Sequence, residues 1–121
     1  MAKKPSKAPE AIARTVTNDR AARLYRLLKL VGERARTRDD LRRRLRLDIR
    51  GFYRDLELLR AAGIDLPLEN RRYVLRQPVA EVVALLPFPD PRLTLGEAIQ
   101  LARGRTRVHR RLKEQIEEIR R

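Results

Sequence analysis

A chain of 121 residues suffices for one compact domain and a modest appendage, but not for two independent cores. Its 30 Lys and Arg stand against 16 Asp and Glu, a net charge of +14 whose self-repulsion a polyanion relieves. Nucleic acid is therefore the first candidate partner and an acidic membrane surface the second. With no Cys and one His, His109, a Cys/His zinc site and a thiol nucleophile are excluded. The Gly residues are scattered singly, so there is no phosphate loop, and no apolar run approaches the ~20 residues that span a bilayer.

The N-terminal Met-Ala-Lys-Lys-Pro lacks the apolar stretch of a secretory signal, so the expected location is cytoplasmic and nucleoid-associated. Residues 1–17 hold Lys3, Lys4, Pro5, Lys7 and Pro9 with little apolar content, which predicts a disordered basic arm, either an extra phosphate contact or a solubilising tail. From Asn18 the residues Leu24, Leu27, Leu28 and Val31 recur on one helix face; Asn18 or Asp19 suits its start and Gly32 its end. Thr37 opens a second helix, with Asp39 and Asp40 at its positive end, Leu41 and Leu45 inward and a stop near Arg46. Asp48 caps a third, with Phe52, Leu56 and Leu59 as its buried stripe and Gly63 at its end. Two helices joined by so short a turn cross steeply, which predicts a helix-turn-helix. Ile64, Leu66 and Leu68 then alternate, Glu69-Asn70-Arg71 supplies a turn, and Tyr73 and Leu75 resume the alternation. A small hairpin follows from this, made basic by Arg71, Arg72 and Arg76, with Pro67 suited to an edge strand.

Beyond it, Pro78 starts a helix bearing Val79, Val82, Val83 and Leu86, and Pro87, Pro89 and Pro91 impose an extended break. Thr94-Leu95-Gly96-Glu97 has capping-box spacing ahead of Ala98, Ile99 and Ala102, with Gly104 as the stop. Thr106 caps a last helix whose stripe is Val108, Leu112, Ile116 and Ile119, with His109 as a solvated surface residue. Being near the ~12–15 residues at which isolated helices become stable, this helix needs a companion. The expected one is a second copy, which makes these four residues a dimerisation seam; packing on residues 79–86 is the alternative. The predicted fold is mainly α with a small β-hairpin wing: an arm over 1–17, a winged helix-turn-helix over 18–76 and a helical appendage over 77–121.

The segment from Thr37-Arg38-Asp39-Asp40-Leu41 through Phe52-Tyr53-Arg54-Asp55-Leu56-Glu57-Leu58-Leu59-Arg60-Ala61-Ala62-Gly63-Ile64 to Arg71-Arg72-Tyr73-Val74-Leu75 resembles the winged helix-turn-helix of DeoR-like transcription regulators. The likeness runs over residues 20–76 and is greatest to regulators fused to WYL ligand-sensing domains. The resemblance implies a DNA-binding transcription regulator without catalytic activity or cofactor, with Asp48 to Arg60 as recognition helix in the major groove and 64–76 as wing on the backbone. Because the chain ends soon after its linker-like helices, the expected architecture lacks the WYL domain, and no small-molecule effector is expected. A homodimer would set two recognition helices on successive major grooves. Three positions depart from the family pattern: Arg46 stands at a usual Gly, Ile49 at a usual Arg and Gly51 at a usual Thr. Arg46 must then bear an unfavourable conformation unless the turn differs, while Gly51 permits close approach to the DNA backbone.

With Phe52, Leu56 and Leu59 inward, Arg50, Gly51, Tyr53 and Arg54 lie outward. Together with Arg38, Arg46, Arg71 and Arg72 they are the candidate DNA contacts. Residues 18–63 hold 14 basic and 7 acidic residues, including Arg34, Arg36, Arg42, Arg43 and Arg44. Asp55 is expected to pair with an Arg of the second helix. Two other functions fit the same surface: an architectural DNA- or RNA-binding protein that reads no bases, and a winged-helix protein-interaction scaffold.

Overall fold

Thr17 starts the first helix, α1 (Asn18–Glu33): its hydroxyl accepts from the Arg20 amide at 3.1 Å, while Asn18 and Asp19 lie inside the first turn. The computed structural model describes residues 16–89 and 93–121, so most of the expected basic arm lies outside the described residues. Its last two positions are folded, since Thr17 caps α1 and Val16 is buried in the core. The apolar stripe Leu24, Leu27, Leu28 and Val31 is buried as its spacing requires. Gly32 does not end α1, which runs one residue further. A Cβ on Gly32 would stand 2.4 Å from Val79 Cγ2, so the missing side chain lets the later chain pack closely against the helix.

A two-residue strand, β1 (Arg36–Thr37), leads into α2 (Arg38–Leu45), where the Thr37 hydroxyl accepts from the Asp40 amide at 3.1 Å. α3 (Ile49–Ala61) follows, capped by Asp48, whose Oδ1 accepts from the Gly51 amide at 2.7 Å. Between them Arg46 adopts the left-handed conformation, φ 56° and ψ 49°, the strain expected where the turn lacks a glycine. Gly63, at φ 91°, turns the chain out of α3.

The hairpin consists of β2 (Leu68–Glu69) and β3 (Arg72–Tyr73), joined through Asn70 and Arg71 at φ 52° and 67°, the paired positive angles of a type I′ turn. β1 adds on the far side of β3, giving an antiparallel sheet in the order β1-β3-β2 with Arg36 opposite Tyr73 and Thr37 opposite Arg72. Two residues are too few for β1 to show an alternation in sequence. Ile64 and Leu66 are buried, but Leu68 is 58% exposed because the hairpin projects beyond the core.

The C-terminal segment is not a separate appendage. α4 (Val79–Ala84), α5 (Leu95–Leu101) and α6 (Arg107–Arg120) add Val82, Leu95, Ala98, Ile116 and Ile119 to the same core as α1 and α3, and the chain after α4 adds Leu86 and Phe88. Between α4 and α5 the chain forms a narrow link, with the Leu95 amide donating to the Leu86 carbonyl at 2.7 Å and the Phe88 amide to the Leu93 carbonyl at 3.1 Å. α5 has the capping box of Thr94 and Glu97 and ends three residues short of Gly104. Gly104 instead lies against the His109 ring, which a Cβ would meet at 2.3 Å. His109 is thus no free surface group, since its Nδ1 accepts from the Thr106 amide at 3.3 Å and completes the cap of α6.

The expected dimerisation seam also needs correction. Ile116 and Ile119 are 3% and 1% exposed, packed inside the chain where α6 lies along α1 and α5. Each such burial contributes about 2 kcal/mol, which a dimer seam would have to forgo. The companion α6 needs is therefore α1, rather than a second copy or residues 79–86. Val108 remains 73% exposed and Leu112 is half-buried.

Asp55 carries the other correction. Its carboxylate is fully buried and accepts from Arg20 Nε at 3.0 Å, Arg23 Nε at 2.7 Å and Arg23 Nη2 at 3.0 Å. Its partners are in α1, not α2, because Asp55 lies on the side of α3 that faces α1. Removing one partner of a buried, hydrogen-bonded ion pair costs about 3–5 kcal/mol, since the other charge is left uncompensated. Asp55→Ala should therefore lower the unfolding free energy in urea by about 3 kcal/mol, and an exposed control, Glu57→Ala, by less than about 0.5 kcal/mol.

Candidate nucleic-acid interface

The inner side of α3 is filled by Phe52, Asp55, Leu56, Leu58 and Leu59. Arg50, Tyr53, Arg54 and Glu57, at offsets of three, four and seven, share the opposite face and are all exposed. Ile49 stands beside them, 45% exposed, as an apolar group among cations. Glu57 places one carboxylate on this face, between Arg54 and the exposed Arg60. Gly51 is half-buried: a Cβ there would meet Asp48 Oδ1 at 3.0 Å and Leu47 Cδ2 at 3.3 Å, so its smallness first serves the cap and the turn.

Beside this face a hollow of about 460 Å³ opens between α2, α3 and the hairpin, lined by Thr37, Arg38, Tyr53, Leu68, Arg71 and Tyr73, with Asp39 at its edge. Arg38 Nη1 donates to the Tyr53 hydroxyl at 3.2 Å. Its Nε is shielded from solvent, makes no hydrogen bond and has Asp39 Oδ1 at 3.6 Å. Phe52 packs edge-on against both tyrosine rings, with centroids 5.5 Å apart in each case. The Arg38 guanidinium, with a smaller contribution from the Tyr73 hydroxyl, holds the Tyr53 phenol below the ordinary tyrosine range. Burial, followed by the hydrogen bond with Tyr53, pushes Tyr73 up.

The arginines that cluster in the sequence separate in space. Arg36 is buried and structural, donating to the Leu30 carbonyl at 2.9 Å, Asp40 at 3.0 Å and Glu33 at 2.9 Å. Asp40 also accepts from Arg43 at 2.9 Å and Arg44 at 3.1 Å, and Arg42 donates to the Leu47 carbonyl at 3.3 Å. Arg36, whose hydrogen bond contributes most, and Arg44 hold the Asp40 carboxyl below its usual range. Arg76, which the hairpin's basic character partly rested on, donates to Glu69 through Nε at 3.0 Å. Among the described residues, Arg46, Arg50, Arg54, Arg71 and Arg72 have no carboxylate within ion-pair distance and are exposed.

The structure thus gathers Arg38, Tyr53 and Arg71 around one hollow and sets Arg50 and Arg54 on the adjoining helix face. Arg46 lies in the turn before α3, and Arg72 faces outward from β3, opposite in sense to the buried Tyr73. Ile49, which the sequence marked at a usual Arg, and Leu68, which it read in the strand alternation, are both exposed although apolar, one next to a cap and the other next to a turn. No helix among the described residues is long and apolar enough to cross a membrane. Comparison with known protein families, with curated proteins and with solved structures yields no match.

Two measurements check this geometry. In an alkaline titration followed by phenolate absorbance, one tyrosine should ionise below about 10 and another above it. Arg38→Ala should return the early one toward the ordinary range, and Tyr53→Phe should abolish it. Because Arg46 and Arg71 occupy a conformation that L side chains resist, Arg46→Gly or Arg71→Gly should raise the unfolding free energy by about 0.5–1 kcal/mol, whereas Val at either position should lower it.

Proposed function

We propose that the chain is a winged helix-turn-helix protein that binds double-stranded DNA and regulates transcription, with α3 in the major groove and the β2–β3 hairpin as a wing on the sugar-phosphate backbone. The observation that carries the reading is a run of exposed arginines without an ion-pair partner among the described residues on three elements: Arg46 in the turn, Arg50 and Arg54 on α3, Arg71 and Arg72 on the hairpin. The protein's other surface arginines around α2 are largely engaged by Asp39 and Asp40. A short helix presented beyond the core, preceded by a tight turn and flanked by a projecting hairpin, has dimensions suited to a major groove about 12 Å wide.

Roles follow from the chemistry of each group. Arg50 and Arg54 can each donate two hydrogen bonds to guanine O6 and N7, and Ile49 can pack on a thymine methyl. Tyr53, steadied by Arg38, donates its hydroxyl proton to a phosphate, while Arg46, Arg71 and Arg72 neutralise phosphates on either side. Glu57 repels the backbone and limits contact to the first half of α3, which suits a helix that enters the groove by its N-terminal end.

Selection of bound fragments from random duplex DNA at physiological salt should enrich a recurrent site. Arg50→Ala should relax preference at one base pair at a cost of about 1–3 kcal/mol. Arg71→Ala should weaken all duplexes alike and make the dependence of log affinity on log salt shallower by about 1. Binding without any enriched site would favour the architectural reading, and loss of duplex binding at physiological salt would sink both.

A further inference from the structure

A second basic surface lies on the other flank of α2. A groove of about 370 Å³ runs between α1, the end of α2 and the end of α6, with Tyr25, Leu30 and Leu45 as its floor. Arg26, Lys29 and Arg44 form its rim, and Arg120 and Arg121 close it at α6; no Asp or Glu side chain lines it. Arg38 and Arg44 are six residues apart on α2, about 120° around an axis with 3.6 residues per turn. The groove therefore opens in a different direction from the hollow at Arg38 and Tyr53. Asp40 holds Arg44 through Nε at 3.1 Å, so Arg26 and Lys29 are the rim cations without an ion pair among the described residues, and Lys29 Nζ sits 5.8 Å from the centre of the Tyr25 ring.

The two halves of this surface ask for different things of an occupant. A nucleic-acid backbone would neutralise the rim but bury Tyr25, Leu30 and Leu45 against charged oxygens, with no apolar gain. An uncharged apolar segment would cover the floor and leave the cations desolvated without partners. A helix with apolar residues on one side and carboxylates on its margins satisfies both, and the volume, at the low end of the ~300–1,000 Å³ of binding clefts, holds its few anchoring side chains. We propose that the groove between α1, α2 and α6 docks an acidic amphipathic peptide segment of a partner protein, with apolar side chains on Tyr25, Leu30 and Leu45 and carboxylates on Arg26, Lys29 and Arg44. This inference does not depend on the DNA-binding reading, since it concerns a different face and a different chemistry.

The test uses the full chain and a fluorescent peptide with Leu at positions i, i+3, i+4 and i+7 and Glu elsewhere, followed by anisotropy. Saturable one-to-one binding is expected. Arg26→Glu with Lys29→Glu should weaken it by about tenfold or more, while Arg50→Ala with Arg54→Ala should change it by less than about twofold. Replacing the peptide's Leu residues by Ser should also weaken it by about tenfold. Arg26 and Lys29 are exposed, and the milder pair Arg26→Gln with Lys29→Gln, checked for an unchanged thermal transition, should show a smaller loss in the same direction. Equal weakening by the groove pair and the α3 pair would show diffuse charge attraction and overturn the proposal. Equal binding of the Ser peptide would overturn it as well, as would a duplex DNA probe that loses more affinity than the peptide when Arg26 and Lys29 become Gln.

Discussion

Asp55 is a carboxylate without solvent, held by two guanidinium groups from another helix, and the placement of α3 follows from it. An apolar stripe such as Phe52, Leu56 and Leu59 favours burial but is tolerant of rotation, because dispersion and hydrophobic contacts have little direction. Three charge-assisted hydrogen bonds from Arg20 and Arg23 have direction and leave one rotation of α3 against α1 satisfied. Any other rotation buries a charge without partners. With Asp55 turned toward α1, Arg50, Tyr53 and Arg54, which stand five, two and one residues before it and so roughly 100–160° around the helix, face outward. The interaction also raises the Arg23 pKa, the hydrogen bond to Asp55 contributing most.

The same logic sorts the remaining charges. A net charge of +14 belongs to the whole chain, but the carboxylates are placed to quiet particular arginines. Glu33 and Asp40 hold Arg36 under the sheet, Asp40 gathers Arg43 and Arg44 along α2, and Glu69 holds Arg76 at the base of the hairpin. The exposed pairs among these, Arg43 and Arg44 with Asp40 and Arg76 with Glu69, contribute little to stability individually. Their effect is to leave Arg46, Arg50, Arg54, Arg71 and Arg72 as exposed cations without an ion-pair partner among the described residues, with Arg26 and Lys29 at the rim of the groove beside α6. A polyanion and an acidic amphipathic peptide would meet different parts of this cationic surface, the one at α3 and the hairpin, the other at the groove lined by Tyr25, Leu30 and Leu45.

Two arginines, Arg46 and Arg71, occupy backbone conformations that glycine adopts at lower cost. Both flank the proposed recognition helix, one in the turn that precedes it and one at the tip of the hairpin. Strain of this kind is maintained only where the surrounding structure imposes it. Here the imposing elements are the Arg42 carbonyl, which accepts from the Arg46 and Leu47 amides, and the β2–β3 pairing, which requires a two-residue turn of the primed type.

Much of the local structure was legible because it depends on neighbours in sequence. Thr37, Asp48, Thr94 and Thr106 cap the helices they were expected to cap, since a cap involves only the next three residues. The outward set on α3 and the strained turn at Arg46 were also readable, one from helical period and the other from a missing glycine. What tertiary structure alone decided has the common feature of long separation along the chain. Asp55 took its partners from α1, 32 and 35 residues away, because charge pairing depends on which helix lies opposite, and nothing local encodes that. Ile116 and Ile119 closed on α1 rather than on a second copy, because an amphipathic stripe specifies that it must be covered but not by what. Gly32 served a close approach to Val79 rather than a helix end, and the arginines divided into paired and unpaired sets, for the same reason: each outcome depends on a surface that exists only after the chain has folded.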